Sequence, residues 1–523
     1  MALSFTGLAL AAASFGQFAK SNIEMYAHLD LAAFGAGTEN GNDIWGYVSP
    51  SGREYAVVGL SNQVAFVEVT DPRHPDIVAT IPHTNNLWGG VKVYGSVAYA
   101  VTETYTGIQV MDLSQIDSRI VTLVRTIAAP QRNHTIAVDP ISGFLYTCGS
   151  RNGTGTTTVF SLANPLNPVQ VGSASLTPVY IHESLPVTYT SGPYAGRQIF
   201  FGCSEGRGLD IYDVTNKNAP FLIKRVPYPN VRYAHQVWIS ADKHYLYLDD
   251  ELDDNAFSYY SVTRVFDVSS LENASLVATF QSGVNSIDHN QYWKDGFLFQ
   301  SNYTSGLRVF DTNDNPLSPT QTGFFDTYPA DNNATYNGTW TNYPYFPSNT
   351  VVVNDINGGL FVLNVQAATT RTFPPSSLTV TSGESMTEDL ASLKVSDDQG
   401  VSLFNDSSTL TAQVQFDGTS AVKRLGELKV HVEASVARNG LSQRLELFRF
   451  DNSTWQTVAS GPGTTSDSAT DVDLTTTAMQ FVGGSGGVRA RLTWSPINDE
   501  SPAFDGWLHS VDVFTWTAIP YAR

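Results

Sequence analysis

One alternating segment recurs seven times between residues 66 and 366, and this repeat limits the possible folds more than any other feature of the sequence. Apolar residues occupy alternate positions in each copy, which places them on one face of a β-strand. Most copies end in Asp or Asn followed by turn residues. Such a repeat predicts a set of similar β units packed against one another. The copies are FVEVTDP (66–72), IQVMDLS (108–114), TVFSLANP (158–165), LDIYDVTN (209–216), TRVFDVSS (263–270), LRVFDTND (307–314) and LFVLNVQ (360–366).

Strand-like segments surround each copy. A pair of them precedes it, as in SVAYAVTET (96–104), and one more follows most copies. Seven units of four strands predict an all-β fold, a seven-bladed β-propeller over residues 23–366. The seventh copy lacks a following strand, so we expect the N-terminal segment 23–31 to supply it and close the ring. An array of β-sandwiches is the alternative, but it does not explain why one motif occupies the same place in every unit.

A second all-β domain is predicted after the repeats. Residues 367–377 form a polar, proline-containing segment that we expect to be a linker. Residues 378–523 then contain alternating stretches such as LGELKVHVEASVARNGLSQRLELFRF (425–450). This pattern is typical of a β-sandwich of the jelly-roll kind. We expect any self-association of the protein to use this domain.

Charge and hydropathy restrict the partners and the compartment. The chain has 49 acidic and 29 basic residues, a formal net charge of −20. Such a chain repels phosphate backbones, which argues against nucleic acid as a partner. Residues 1–22 are apolar and Ala-rich, as in a signal peptide, and no later segment is long and apolar enough to span a membrane. We therefore expect a secreted or cell-surface protein whose partner is an extracellular glycan or a cell-envelope component.

Four histidines recur at the predicted start of the innermost strand in consecutive units. They are His134, His182, His235 and His289. The aligned positions in three other units carry Trp45, Trp88 and Tyr345. Because the innermost strands of a propeller line its central channel, these side chains are predicted to form a ring around one mouth of the channel.

The predicted ring and its neighbouring loops indicate two chemistries. Imidazoles and carboxylates together bind transition metals, and the candidate ligands are His134, His182, His235, His289, Glu205 and Asp250. The ion would be Mn²⁺, Zn²⁺, Fe²⁺ or, through the acidic loop LDDELDD (248–254), Ca²⁺. Proton transfer from a bound ligand is the other chemistry, with the catalytic candidates His182, His235, Tyr233 and Arg132. The candidates for ligand contacts are Trp45, Trp88, Tyr345 and Arg207. A purely structural ring, in which each histidine bonds a backbone carbonyl of the next blade, is the alternative.

Several of these stretches resemble the choice-of-anchor B family. They include HLDLAAFGAGTENGNDIWGYVSPSGREYAVVGL (28–60), SEGRGLDIYDVTNKN (204–218), YAHQVWIS (233–240) and IDHNQYWKDGFLFQSNYTSGLRVFD (287–311). The resemblance covers about residues 25–366 and is to exported bacterial propeller proteins related to LVIVD-repeat proteins. It implies the propeller fold and export, and it implies no particular activity.

Three functions follow as hypotheses. The first is a secreted or cell-surface binding protein whose histidine, tryptophan and acidic cluster holds a ligand such as a glycan. The second is a metal-dependent carbohydrate-active enzyme similar to a polysaccharide lyase, and this one rests partly on analogy between folds. The third is a structural component of the envelope or of a filament.

Overall fold

A computed structural model describes residues 18–104, 106–150, 157–174, 180–258, 260–420, 422, 424–497 and 506–522. Of the predicted signal peptide 1–22, residues 1–17 lie outside the described residues. The first two strands are β1 (Lys20–Ser21) and β2 (Glu24–Leu29). Within the described ranges the only α-helix is the five-residue α1 (Asp253–Phe257), so the predicted all-β class is confirmed. No helix in these ranges is long and apolar enough to cross a membrane.

Seven antiparallel sheets follow one another along residues 41–364. Sheets 1 and 2 contain β3 (Gly41–Val48), β4 (Glu54–Leu60), β5 (Gln63–Glu68), β6 (Asp76–Pro82), β7 (Gly89–Tyr94), β8 (Val97–Thr102), β9 (Ile108–Asp112) and β10 (Thr122–Ile127). Sheets 3 and 4 contain β11 (Thr135–Asp139), β12 (Phe144–Cys148), β13 (Thr157–Ser161), β14 (Val169–Ala174), β15 (Ser184–Thr188), β16 (Gln198–Cys203), β17 (Leu209–Asp213) and β18 (Phe221–Val226). Sheets 5 to 7 contain β19 (Ala234–Ile239), β20 (Tyr245–Asp250), β21 (Val262–Asp267), β22 (Ser275–Gln281), β23 (Gln291–Lys294), β24 (Phe297–Ser301), β25 (Leu307–Asp311), β26 (Thr320–Phe325), β27 (Thr339–Tyr343), β28 (Thr350–Asp355) and β29 (Gly359–Asn364).

The first strands of the seven sheets contact one another in cyclic order. Contacts run from β3 to β7, β11, β15, β19, β23 and β27 in turn, and β27 contacts β3 again. Each of the seven repeated segments lies on the third strand of a sheet. The N-terminal strand β2 pairs with β29 as the fourth strand of sheet 7, and β1 adds to the outer edge of sheet 6 beside β26.

A buried asparagine links sheet 7 to sheet 1 by hydrogen bonds. Asn354 on β28 donates from Nδ2 to the carbonyls of Asn42 at 2.9 Å, Asp43 at 3.3 Å and Gly59 at 2.7 Å. Apolar side chains fill the space between the same two sheets, including Ile44, Val58 and Val352. The last and first sheets are therefore joined both by packing and by hydrogen bonds from a side chain that water does not reach.

Two further antiparallel sheets form the C-terminal part. One has the order β32 (Glu384–Glu388), β33 (Val401–Phe404), β40 (Leu508–Pro520), β35 (Leu425–Ser435) and β38 (Ser468–Leu474), with β30 (Arg371–Phe373) also paired to β40. The other has the order β31 (Ser377–Ser382), β34 (Ala412–Thr419), β39 (Gly487–Pro496), β36 (Leu441–Arg449) and β37 (Thr454–Pro462). Both sheets contribute to one hydrophobic core, which contains Trp494 and Trp516. The segment 367–377, predicted to be a linker, carries a 3₁₀ turn (Ala367–Thr369) and β30.

Candidate metal centre

A cavity of about 500 Å³ opens where the first strands of sheets 2 to 7 begin. Its wall is made by residues that directly precede or start these strands and by residues of the loops that follow the second strands. The lining residues are Leu87, Trp88, Glu103, His134, Tyr180, His182, Tyr233, His235, Glu251, His289, Tyr303, Tyr336, Trp340 and Ile356. The four histidines predicted to come together therefore do so.

The four imidazoles form a continuous arc across sheets 3 to 6. Ring centroids are 4.2 Å apart between His134 and His182, 4.4 Å between His182 and His235, and 4.2 Å between His235 and His289. All four side chains are buried. The arc follows from the repeat, because each histidine occupies nearly the same position relative to the first strand of its own sheet.

Hydrogen bonds fix which nitrogen of each ring carries the proton. His235 Nδ1 lies 2.9 Å from Asp249 Oδ1. Both oxygens of Asp249 already accept N–H groups, Oδ1 from the Gln236 backbone at 3.1 Å and Oδ2 from Gln291 Nε2 at 3.3 Å. With Nδ1 assigned as the donor to Asp249, the lone pair of His235 is on Nε2. The other three rings donate from Nδ1 in the same way, His134 to Glu103 Oε1 (2.9 Å), His182 to the carbonyl of His235 (3.3 Å) and His289 to the carbonyl of Trp340.

These hydrogen bonds are compatible both with a purely structural ring of histidines and with a metal-binding ring. His182 and His289 bond carbonyls of the next sheet, as the structural interpretation predicts. Those bonds use Nδ1 alone. An imidazole whose Nδ1–H is held by an oxygen acceptor presents Nε2 in the form that binds metals, and such outer hydrogen bonds are typical of metal-ligating histidines. The buried Nε2 of His235 has no hydrogen-bond partner within the described part of the chain.

Glu251 brings a carboxylate to two of these nitrogens. Its oxygens lie 3.9 Å from His235 Nε2 and 3.8 Å from His289 Nε2. One ligand atom from each of the three residues lies within 4.8 Å of the other two. The Tyr303 hydroxyl donates to Glu251 Oε1 at 2.7 Å and so orients the carboxylate. Two nitrogens and an oxygen thus converge on one point of the cavity wall.

Burial sets the charge state of these groups. It lowers the pKa of His289 to about 3 and that of His235 well below the ordinary value, the neighbouring histidines adding to the effect on His235. Both rings are consequently neutral at neutral pH, which is the form that ligates a metal. Burial also raises the pKa of Glu251, and a divalent cation between the three groups would favour its ionised form.

Glu183 offers a second, weaker grouping beside the arc. Its ligand oxygen lies within 4.8 Å of ligand nitrogens of His182 and His235. Burial raises the pKa of Glu183 to about 8, so this carboxyl is mostly protonated at neutral pH. Glu183 does not line the cavity, and Glu251 is therefore the better placed of the two carboxylates.

Two acids expected to bind metal have other contacts. Asp250 accepts hydrogen bonds from the Tyr228 hydroxyl and the Tyr233 backbone, each at 2.8 Å, and does not line the cavity. Glu205 also does not line the cavity and contacts the Tyr233 hydroxyl. Burial and the acidic neighbours raise the pKa of Tyr233, so this phenol keeps its proton and suits a hydrogen-bond donor better than a base.

The predicted ligand-contact residues separate into two places. Trp88 lines the cavity and is 47% exposed, as expected for a residue at its rim. Trp45 instead lines a second cavity of about 320 Å³ with Lys92 and Trp238. Tyr345 packs near Trp45, with 6.5 Å between ring centroids. Arg207 is exposed on the loop after β16 and lines neither cavity, and Arg132 donates from Nε to the carbonyl of Glu103 at 2.9 Å.

Aligning the repeats by sequence does not identify Trp340. This residue lines the cavity in sheet 7, at the place predicted for Tyr345. Trp340 is the second residue of β27, whereas Tyr345 follows the end of that strand. The stretch TWTN (339–342) has the same form as AHQV (234–237) and LWGG (87–90), a ring residue followed by an alternating strand. That similarity is the signal that would have identified Trp340.

Comparison with known proteins identifies no family. No family model matches the sequence, and no curated protein matches it. Solved structures do match, and one is a functionally unknown protein from Desulfotomaculum acetoxidans, with 16% identity, a TM-score of 0.40, and coverage of 57% of this chain and 88% of that chain. Another is Kuenenia stuttgartiensis hydrazine synthase, with 11% identity, a TM-score of 0.43, and coverage of 65% and 98%. The resemblance to the choice-of-anchor B family stays a prediction.

Proposed function

We propose that this protein is an exported seven-bladed β-propeller followed by a β-sandwich, and that it binds its ligand at a metal ion in the propeller cavity. The cyclic contacts among the first strands of the seven sheets support the propeller, as does the pairing of β2 with β29. The single core shared by the two C-terminal sheets supports the sandwich.

The observation that carries the metal site is the convergence of His235, His289 and Glu251. Their ligand atoms lie within 4.8 Å of one another on the wall of an open cavity, and both imidazoles are neutral. Two imidazole nitrogens with one carboxylate oxygen suit Zn²⁺, Mn²⁺ or Fe²⁺, whereas Ca²⁺ prefers ligand sets made entirely of oxygen. Three protein ligands leave at least one coordination position for a ligand that enters the cavity.

The rest of the cavity wall fits a polar ligand with apolar faces. Trp88 and Tyr336 are aromatic residues of the lining and each is 47% exposed, and Glu103 is an acidic residue of the lining. Flat aromatic surface beside a few placed polar groups is the composition of a small-ligand site, and a sugar ring offers both kinds of surface. An extracellular glycan is therefore the proposed ligand class.

Metal-dependent catalysis on such a glycan is the second candidate function. It is favoured by the position of His182, whose ring lies 4.4 Å from that of His235 on the same wall. This arrangement sets an imidazole beside the metal ligands, where it can accept a proton from a bound ligand. The metal would supply Lewis-acid polarisation of the ligand oxygen.

Plasma mass spectrometry of the purified protein tests the metal site. We expect about one equivalent of Zn, Mn or Fe in the wild type and a loss of it in a His235→Ala/His289→Ala double variant. His509→Phe is the matched control, because His509 is also a buried histidine but lies on β40. Retention of the metal in the double variant, or its absence after reloading the wild type, would contradict the proposal.

A glycan array then separates the two functions. We expect the metal-loaded protein to retain particular acidic or neutral polysaccharides, and Trp88→Ala to weaken this retention. Shortening of the retained polysaccharide on incubation, abolished in the double variant, would identify the enzyme. Unchanged polysaccharide would identify the binding protein.

A further inference from the structure

A second group of acids occupies the same two loops as Glu251 and His289 without lining the cavity. Asp253 and Asp254 begin α1, three residues after the end of β20, and Asp288 lies in the segment that leads to β23. One carboxylate oxygen from each of the three lies within 4.8 Å of the other two. The cluster thus joins sheet 5 to sheet 6 at a point distinct from the cavity wall.

These carboxyl groups are almost completely buried and accept few hydrogen bonds. The exposed fractions are 0% for Asp253, 1% for Asp254 and 1% for Asp288. Asp253 Oδ2 accepts from Arg264, and Asp254 Oδ2 accepts from the Asp288 backbone N–H at 3.1 Å. No residue of the described ranges donates a hydrogen bond to the remaining four oxygens, Asp253 Oδ1, Asp254 Oδ1 and both oxygens of Asp288.

With its carboxyl groups ionised, the cluster would have two more negative charges than positive charges. If all three carboxyl groups were ionised they would carry −3, and Arg264 is the adjacent cation. The Arg264 guanidinium donates to Asp253 and to the Val262 carbonyl at 3.0 Å, and it lies over the Tyr228 ring at 4.6 Å. Buried charges without partners are strongly unfavourable, so the two remaining negative charges require bound protons or a divalent cation.

We propose that Asp253, Asp254 and Asp288 bind a calcium ion. All the available ligand atoms are carboxylate oxygens, which selects a hard cation over the transition metals suited to His235 and His289. Mg²⁺ usually retains several of its waters, which does not suit carboxylates that water barely reaches, whereas Ca²⁺ accepts a flexible shell of protein oxygens.

The position of the ion gives it a role in the protein. It ties the loop after β20 to the segment before β23, two residues from Glu251 on one side and one residue from His289 on the other. Ca²⁺ therefore holds in place two residues of the cavity wall. Its binding depends only on the acidic cluster and not on any metal in the cavity.

Isothermal titration of the full chain with Ca²⁺, after treatment with a chelator, tests this site. We expect one equivalent of Ca²⁺ to bind the wild type, and Asp288→Asn to bind roughly tenfold more weakly or not at all. Asp398→Asn is the matched control, because Asp398 belongs to another acidic group, with Asp467 and Asp512, in which only Asp512 is buried. This variant should keep the wild-type affinity.

Asp254→Asn is a milder second variant, because its amide oxygen can still accept from the Asp288 backbone. It should also weaken Ca²⁺ binding roughly tenfold. Absence of Ca²⁺ binding by the wild type would overturn the proposal. A proton shared between Asp254 and Asp288 would then be the explanation for the buried acids. Equal loss of Ca²⁺ in Asp398→Asn and Asp288→Asn would overturn it as well. Zn²⁺ titrated in parallel reports on the cavity, so failure of one site is distinguished from failure of the other.

Discussion

Replacing Tyr303 by Phe should weaken metal binding in the cavity while leaving its walls intact. The Tyr303 hydroxyl donates to Glu251 Oε1 at 2.7 Å, and the residue is 2% exposed. Its ring centroid lies 4.7 Å from that of His289 and 5.5 Å from that of Tyr336, contacts that Phe retains. The substitution therefore removes one hydrogen bond to the proposed metal ligand Glu251 and almost no packing.

The expected magnitude follows from that single hydrogen bond. Removing an outer partner of a metal ligand typically weakens metal binding by roughly 10- to 100-fold. This corresponds to about 1.4 to 2.7 kcal/mol of binding free energy.

Competition against a chromophoric chelator with Zn²⁺ measures the change. Tyr292→Phe is the matched control, since Tyr292 is also 2% exposed and donates or accepts a hydrogen bond with Thr341 at 3.1 Å but does not line the cavity. We expect this control to bind Zn²⁺ with wild-type affinity. Wild-type affinity in Tyr303→Phe, or an equal loss in both variants, would refute the role assigned to Glu251.

Three further predictions concern stability and reactivity. Asn354→Ala removes the donor to three buried carbonyls between sheets 7 and 1, and should lower the free energy of unfolding in urea by about 2 to 4 kcal/mol. Burial lowers the pKa of His509 to about 4 from an ordinary 6.5. The free energy of unfolding should therefore be unaffected by this residue above pH 6.5, and should fall by up to about 3 kcal/mol as the pH drops to 4. His509→Phe, which keeps the stacking on Trp494, should remove this part of the pH dependence. Cys148 and Cys203 are buried, unpaired thiols, and burial raises the pKa of Cys148 to about 12, so a thiol reagent should modify them roughly 100-fold faster in denaturant than in the native protein.

The sequence predicts the all-β class and the meeting of the four histidines for the same reason. Alternation of apolar residues identifies strands, and the repeat of one motif gives each strand a counterpart in every unit. His134, His182, His235 and His289 hold the same place in four such units, so their convergence requires only that the units pack alike.

The first and last units show where this reasoning fails. The β3–β4 register shifts between Gly41 and Ile44, and the β27–β28 register shifts between Thr339 and Thr341. The β19–β20 register shifts in the same way between Ala234 and Val237, and there the ring residue His235 is the second residue of its strand. Trp45 is the fifth residue of β3, and alternation alone does not specify how far along a strand a residue lies. This offset is why Trp45 lies in the second cavity and not beside the histidines.

The acidic partners of the site were harder still to predict. The loop LDDELDD holds five acids within seven residues, and only Glu251 among them lines the cavity. Asp249 bonds His235 Nδ1, Asp250 holds the loop backbone, and Asp253 pairs with Arg264. These neighbouring acids have the same chemistry and differ only in where their side chains point. That orientation depends on the loop conformation, which no local pattern in the sequence specifies.

The central claim is that one metal ion binds His235, His289 and Glu251, and anomalous diffraction from crystals loaded with Zn²⁺ tests it most directly. We expect a peak in the cavity at roughly 2.0 to 2.2 Å from both Nε2 atoms and from a Glu251 oxygen. A map with no anomalous peak in the cavity, or with peaks only at other residues, would contradict the claim.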